Sequence, residues 1–153
     1  MKSLFASDDG VAIVELALIA PFLILLTIGI IDIGLFARDS IEIANAARAG
    51  AEFGAYSTAN STNAMGIQLA ATSDATDVAL VSTDVSSSTY CSCGANPSSH
   101  VAACNPVPTC ATSDHLDSFV TVTVAKSFTP LINYPGILST LPLSRTATQE
   151  ISP

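Results

Sequence analysis

Positive charge is scarce in this chain. Five lysines and arginines stand against thirteen aspartates and glutamates, for a net charge of −8. Lys2, Arg38, Arg48, Lys126 and Arg145 are scattered, so there is no basic patch to hold nucleic acid. A partner recognised through charge has to be basic, or at least not acidic. Histidine is scarcer still, at two residues, His100 and His115. Catalysis needs a nucleophile or an acid/base pair in mutual reach. His115 beside Asp114 and Asp117 is what chance supplies in a stretch rich in Ser, Thr and Asp. No phosphate loop, nucleotide fingerprint or internal repeat is present. No enzyme is expected, and no cofactor.

What the chain does have is apolar residues, at 49% against 12% charged, and they are concentrated at the front. Between Glu15 and Asp32 lie sixteen consecutive uncharged residues, Leu16 to Ile31. As a helix they cover ~24 Å. The apolar flanks Val11–Val14 and Ile33–Ala37 extend them enough for a hydrocarbon core of ~30 Å. A spanning segment has to satisfy its own backbone, which predicts a helix. Pro21 removes one helix hydrogen bond and predicts a kink, which a membrane helix tolerates. A removed signal peptide fits poorly, because its apolar core is usually only ~7–15 residues and closes on a small-residue cleavage site. A plain single-pass anchor fits the hydropathy but leaves Glu15 unexplained.

The residues before the span, MKSLFASDDG, are polar and read as a leader or frayed end over 1–10. Gly10-Val11-Ala12-Ile13-Val14-Glu15 has the form G-x-x-x-x-E at the mouth of an apolar helix. Val14-Glu15-Leu16-Ala17-Leu18, Pro21, the Ile/Leu run, Ile31-Asp32-Ile33-Gly34 and Ala46-Ala47-Arg48-Ala49-Gly50-Ala51 follow. Over residues 10–56 this pattern resembles the TadE-like minor pseudopilins of tight-adherence (Flp-type) pili, within the type IV pilin-like group. The resemblance implies cleavage between Gly10 and Val11 by a prepilin peptidase, leaving the apolar helix on the mature protein. It also implies that Glu15 pairs with the new amino group on Val11 of a neighbouring subunit. Physically, a carboxylate inside an apolar run is costly unless paired or neutralised. The competing reading is that Glu15 reaches back to the headgroups, being about one turn inside. Asp32, near the far boundary, reads as a carboxylate reaching interfacial water.

Residues 37–57 continue the helix as a stalk beyond the 11–36 span. Ala44, Ala47, Ala51 and Ala55 recur on one helical face. Gly50 and Gly54 form a small-xxx-small pair, which permits close helix approach. These positions, with Pro21, are candidates for helix packing, either on other pilin-like subunits or on the chain's own β-domain. A continuous helix from 11 to 56 would be ~69 Å long.

Four cysteines, Cys91, Cys93, Cys104 and Cys110, fall within twenty residues. Such a set in a small domain past a membrane helix predicts disulfides and an oxidising compartment. Cys91 and Cys93 are too close in sequence to bridge without strain. Each is expected to pair outward, with Cys104 and Cys110 in either arrangement. Zinc is the rival, but C-x-C followed by C-x₅-C lacks paired knuckles, and no metal is expected. Residues 84–117 read as a Cys-rich loop. Residues 64–72 suggest a short helix and 74–80 a further turn, or a strand opening near Val78. Val120, Val122 and Val124 alternate with Thr121 and Thr123 as a strand over 118–126. Residues 137–141 suggest a helical turn, and 142–151 a last strand.

The fold expected is α+β: a long membrane-spanning and stalk helix with a small disulfide-bonded antiparallel β head over 58–153. The resemblance implies a pilin-like assembly protein in the bacterial inner membrane. Its N-terminus would be cytoplasmic and its head periplasmic or extracellular. Its partners would be other pilin-like subunits, the prepilin peptidase, the inner-membrane assembly platform and membrane lipid. The alternative is an anchored binding or adhesion module with no assembly role.

Overall fold

One helix, α1, runs unbroken from Asp8 to Ala55, through Pro21. Its 48 residues make a rod ~72 Å long. The computed structural model of the chain describes residues 8–94, 104, 109–110, 115–132, 136 and 139–152. The stretch read as a leader or frayed end is therefore helical from Asp8 onward. Extending an existing helix costs far less than nucleating one, so the apolar run carries its flank along.

The upper end of α1 is closed by side chains and by the C-terminal segment. Asn60 Nδ2 donates to the Phe53 carbonyl at 3.2 Å, and the Ser152 amide donates to the Ala55 carbonyl at 2.8 Å. Both satisfy carbonyls that a helix end leaves without partners. A four-residue helix, α2 (Thr58–Ser61), follows, capped by Ser57. Helix α3 (Ala64–Asp74) is capped by Asn63, whose Oδ1 accepts from the Gly66 amide at 3.0 Å. A Cβ on Gly66 would stand 2.5 Å from the Phe53 ring, so the glycine lets α3 start against α1. Short 3-10 turns at Thr76–Val78 and Ser82–Asp84 lead into the sheet. Val78 thus lies in a turn, not in a strand.

The sheet has three antiparallel strands in the order β1 (Val85–Cys93), β2 (Leu116–Phe128), β3 (Leu141–Glu150). Val85 pairs with Val124 and Cys93 with Leu116, while Phe119 pairs with Glu150 and Phe128 with Leu141. Two corrections follow. Residues 85–93 are an edge strand, so the Cys-rich loop expected over 84–117 shrinks to what lies between Cys93 and Leu116. Leu141 belongs to β3 and not to a helical turn; Ile137 and Leu138 fall outside the described residues. Pro142 sits on the edge strand β3, where a missing N–H is tolerated.

The core lies between one face of this sheet and the helices. Val120, Val122 and Val124 are fully buried against Ile43, Ala47 and Ala51 of α1 and Ile67 and Ala71 of α3. The opposite face is polar, with hydroxyl pairs Thr121–Thr148 at 3.0 Å and Thr123–Thr146 at 2.9 Å. This is the alternation of a sheet with one face packed and one face solvated. Tyr90 and Phe119, paired across β1 and β2, stack on that same face with ring centroids 5.3 Å apart and are both buried, so it is solvated along the threonines and not at this end.

Three of the scattered cations fasten the head. Lys126 Nζ donates to the carbonyls of Val78 and of Ala79, the latter at 2.8 Å. Ala79 has φ +48°, a left-handed conformation costing an L-residue ~1–2 kcal/mol. The ammonium helps hold that turn. Arg145 on β3 donates to the Ser40 hydroxyl on α1. Arg38 pairs with Glu42 at 3.3 Å and with Asp77.

Candidate assembly site

The two halves of α1 have opposite surroundings. From Val11 to Leu26 nearly every side chain is exposed, Leu18 at 77% and Phe22 at 68%. Among the described residues no other element covers this half, and α1 is the one helix there long and apolar enough to cross a membrane. From Ile43 to Gly54 the small face is buried. The only hydroxyl in the uncharged run Leu16–Ile31, Thr27, is satisfied internally by donating to the Leu23 carbonyl at 2.8 Å. That is how a polar group is accommodated in lipid.

Gly10, Val11 and Glu15 share the bare end. Gly10 is half-buried, Val11 and Glu15 are exposed, and all three are helical. Val11 and Glu15 are four residues apart, so they lie on one face one turn apart. A positive group on Val11 of an adjacent helix, staggered by a turn, could therefore meet the Glu15 carboxylate. Pro21 is exposed on the bare half.

The small-residue positions are elsewhere. Ala47 and Ala51 are fully buried; Ala44 and Ala55 are half-buried. A Cβ on Gly50 would meet Val122 at 3.2 Å and Ala71 and Ile67 at 3.3 Å. A Cβ on Gly54 would meet Val120 Cγ2 at 3.0 Å. Of the two packing readings, the described structure gives this face to the chain's own sheet and α3.

The head is seated at both ends of the stalk. Phe36 of α1 meets Phe128 edge-on, with centroids 5.5 Å apart, at the end of the sheet nearer the bare half. Ser152 is tied to Ala55 at the distal end. The Cys93 end of β1 is therefore distal, pointing away from the span. The disulfides are Cys91–Cys104 and Cys93–Cys110. Each pairs outward, and this choice between the two arrangements was not available from spacing. His115 Nε2 lies 3.1 Å from Asp117 Oδ2 at the start of β2; His100 lies outside the described residues. Among the described residues no three metal-ligating side chains come together.

Asp32 carries a role that the sequence reading missed. It is 7% exposed, and its Oδ1 accepts from the Leu131 amide at 2.8 Å. It thus ties the β2–β3 loop to the helix instead of reaching out to water. The available signal was a carboxylate closing a sixteen-residue uncharged run, which has to find a donor.

A sequence model of the TadE-like protein family matches residues 10–52. The match covers the bare half and most of the stalk, and it agrees with the resemblance carried by the Gly10–Glu15 motif. No curated protein and no solved structure matches the chain.

Proposed function

We propose that this chain, matched over residues 10–52 by the TadE-like family, is a pilin-like assembly protein, a minor pseudopilin of a tight-adherence pilus or related secretion system. Its work is structural. The bare half of α1 anchors it in the inner membrane and packs on the corresponding helices of other subunits. The peptidase cuts between Gly10 and Val11, and Glu15 receives the new amino group of a neighbour. The head stands on the far side of the membrane, where the two disulfides are stable.

The observation that supports this reading best is the division of labour along α1. The chain's own head uses the small face from Ile43 to Gly54, and the conspicuous apolar half carries one acid one turn past Val11. A plain anchor has no use for that acid.

Glu15→Ala tests the assembly role. The variant is expected to insert in the membrane at wild-type level but to disappear from sheared surface fibres and from crosslinked complexes with other pilin-like subunits. Unchanged assembly would sink the pairing role and favour an anchored binding module.

A further inference from the structure

The head carries a second apolar surface at the foot of the sheet. Between α1 and the β2–β3 loop opens a cleft of about 370 Å³. Its helix wall is Gly29, Ile33 and Phe36, and its head wall is Phe128, Pro130 and Leu141, with Asp32 at its edge. Next to it, Leu131 is 63% exposed and Ile132 41%. Neither apolar side chain serves the head's own core.

Their height along α1 says what covers them. The uncharged run Leu16–Ile31 covers only ~24 Å as a helix, short of a hydrocarbon core of ~30 Å. The missing length has to come from the flanks. If the core starts level with Glu15, it ends about twenty residues on, near Leu35. If it starts level with Val11, it ends near Ile31. Arg38, with an exposed side chain, sets the outer limit. In each case the edge falls within about a turn of Asp32. The Leu131 amide is bonded to the Asp32 carboxylate, so Leu131 lies at that edge or inside it. The same bond removes the obstacle to such a depth, because a carboxylate held by a protein donor and shielded by the loop is not presented bare to lipid.

We infer that Leu131 and Ile132 insert into the head-side leaflet and that lipid acyl chains occupy the cleft beside them. The head is then seated on the bilayer by two contacts, the span and this loop. The pair fixes both the tilt of the head and the depth of α1. This inference rests on the reading of α1 as a membrane span.

The chain contains no tryptophan, so a single introduced one reports its own position. Four full-length variants would be reconstituted in phosphatidylcholine vesicles: Leu131→Trp, Ile132→Trp, Ile24→Trp in mid-span and Tyr56→Trp at the top of the stalk. Intact mass without reductant checks that both disulfides have formed. Emission is then measured with acrylamide in the water and with lipids brominated at shallow or deep acyl carbons. The two loop reporters are expected to be blue-shifted from the Tyr56→Trp reporter, quenched by shallow bromine and shielded from acrylamide. Acrylamide quenching equal to that of Tyr56→Trp, with Ile24→Trp still quenched by deep bromine, would overturn the inference and leave the span intact. Shielding from both quenchers would also overturn it, showing protein over the loop. Loss of bromine quenching at Ile24→Trp would remove the span, and the inference with it.

Discussion

Gly54→Ala is predicted to loosen the head, although the same change stabilises most helices. Replacing glycine by alanine inside a helix gains up to ~1 kcal/mol. Gly54 is one residue from the end of α1, so less than that is recovered here. Against it stands the contact with β2. The added methyl would lie 3.0 Å from Val120 Cγ2 and 3.3 Å from Val120 Cγ1 and Ile67 Cδ1. Val120 is fully buried on the central strand, so any shift it makes is taken up by packed neighbours. Overpacking a core of this kind costs ~1–3 kcal/mol. The net is a destabilisation of about 1 kcal/mol, or a melting temperature lower by roughly 5 °C for a domain of this size. Gly54→Leu would exceed that severalfold. Thermal melts of the full chain in detergent, followed by protease resistance of the head, read the effect. A Gly54→Ala head as stable as wild type or more so, together with a tolerated Gly54→Leu, would refute the packing argument. The small face would then be free for other subunits.

Further predictions concern the fasteners. Asp32→Ala leaves the Leu131 amide without its acceptor and is expected to cost ~1–3 kcal/mol. Amide exchange at Leu131 should accelerate, and Asp32→Asn, which keeps an acceptor, should restore most of the protection. Removing Cys91–Cys104 or Cys93–Cys110 as a pair of serines opens closed segments with sequence separations of 13 and 17. Either closure on its own is worth about 3 kcal/mol in the chain-entropy account. The segments overlap, so each bridge removed while the other remains costs somewhat less than that, and losing both should cost more than the sum of the two single losses, as chemical denaturation of the three variants would show. Glu15→Ala should separate insertion from assembly, keeping its membrane level while it is lost from sheared fibres and crosslinked complexes.

The legibility of this chain in sequence follows where its physics is local. Helix α1 is readable because a long apolar run must be helical in lipid, whatever surrounds it. Strand β2 is readable because Val120, Val122 and Val124 alternate with threonines and fill the core. Strand β1 is not readable, because VSSSTYCSC has serine on both faces. Its pairing is dictated by the backbone of β2 and by bridges closing at Cys91 and Cys93. The small face of the stalk is visible as a pattern, but its occupant is not, since a thin helix face fits a sheet as well as another helix. Asp32 fails for a different reason. Its donor lies 99 residues away in sequence, on the Leu131 amide, and no periodicity connects the two. The Gly10–Glu15 motif is the reverse case, since it is legible in sequence while its proposed counterpart lies on another chain.

The central claim, a processed helix that anchors and assembles, is tested most directly at its N-terminus. The full chain would be purified from its native membrane without reductant, and its intact mass and first residues determined. A start at Val11 is predicted, with a mass lower by the four hydrogens lost in forming two disulfides. A chain still starting at Met1 would contradict the pilin-like mechanism and leave an anchored head. A start beyond Ile31 would show that the organising helix had been a signal peptide.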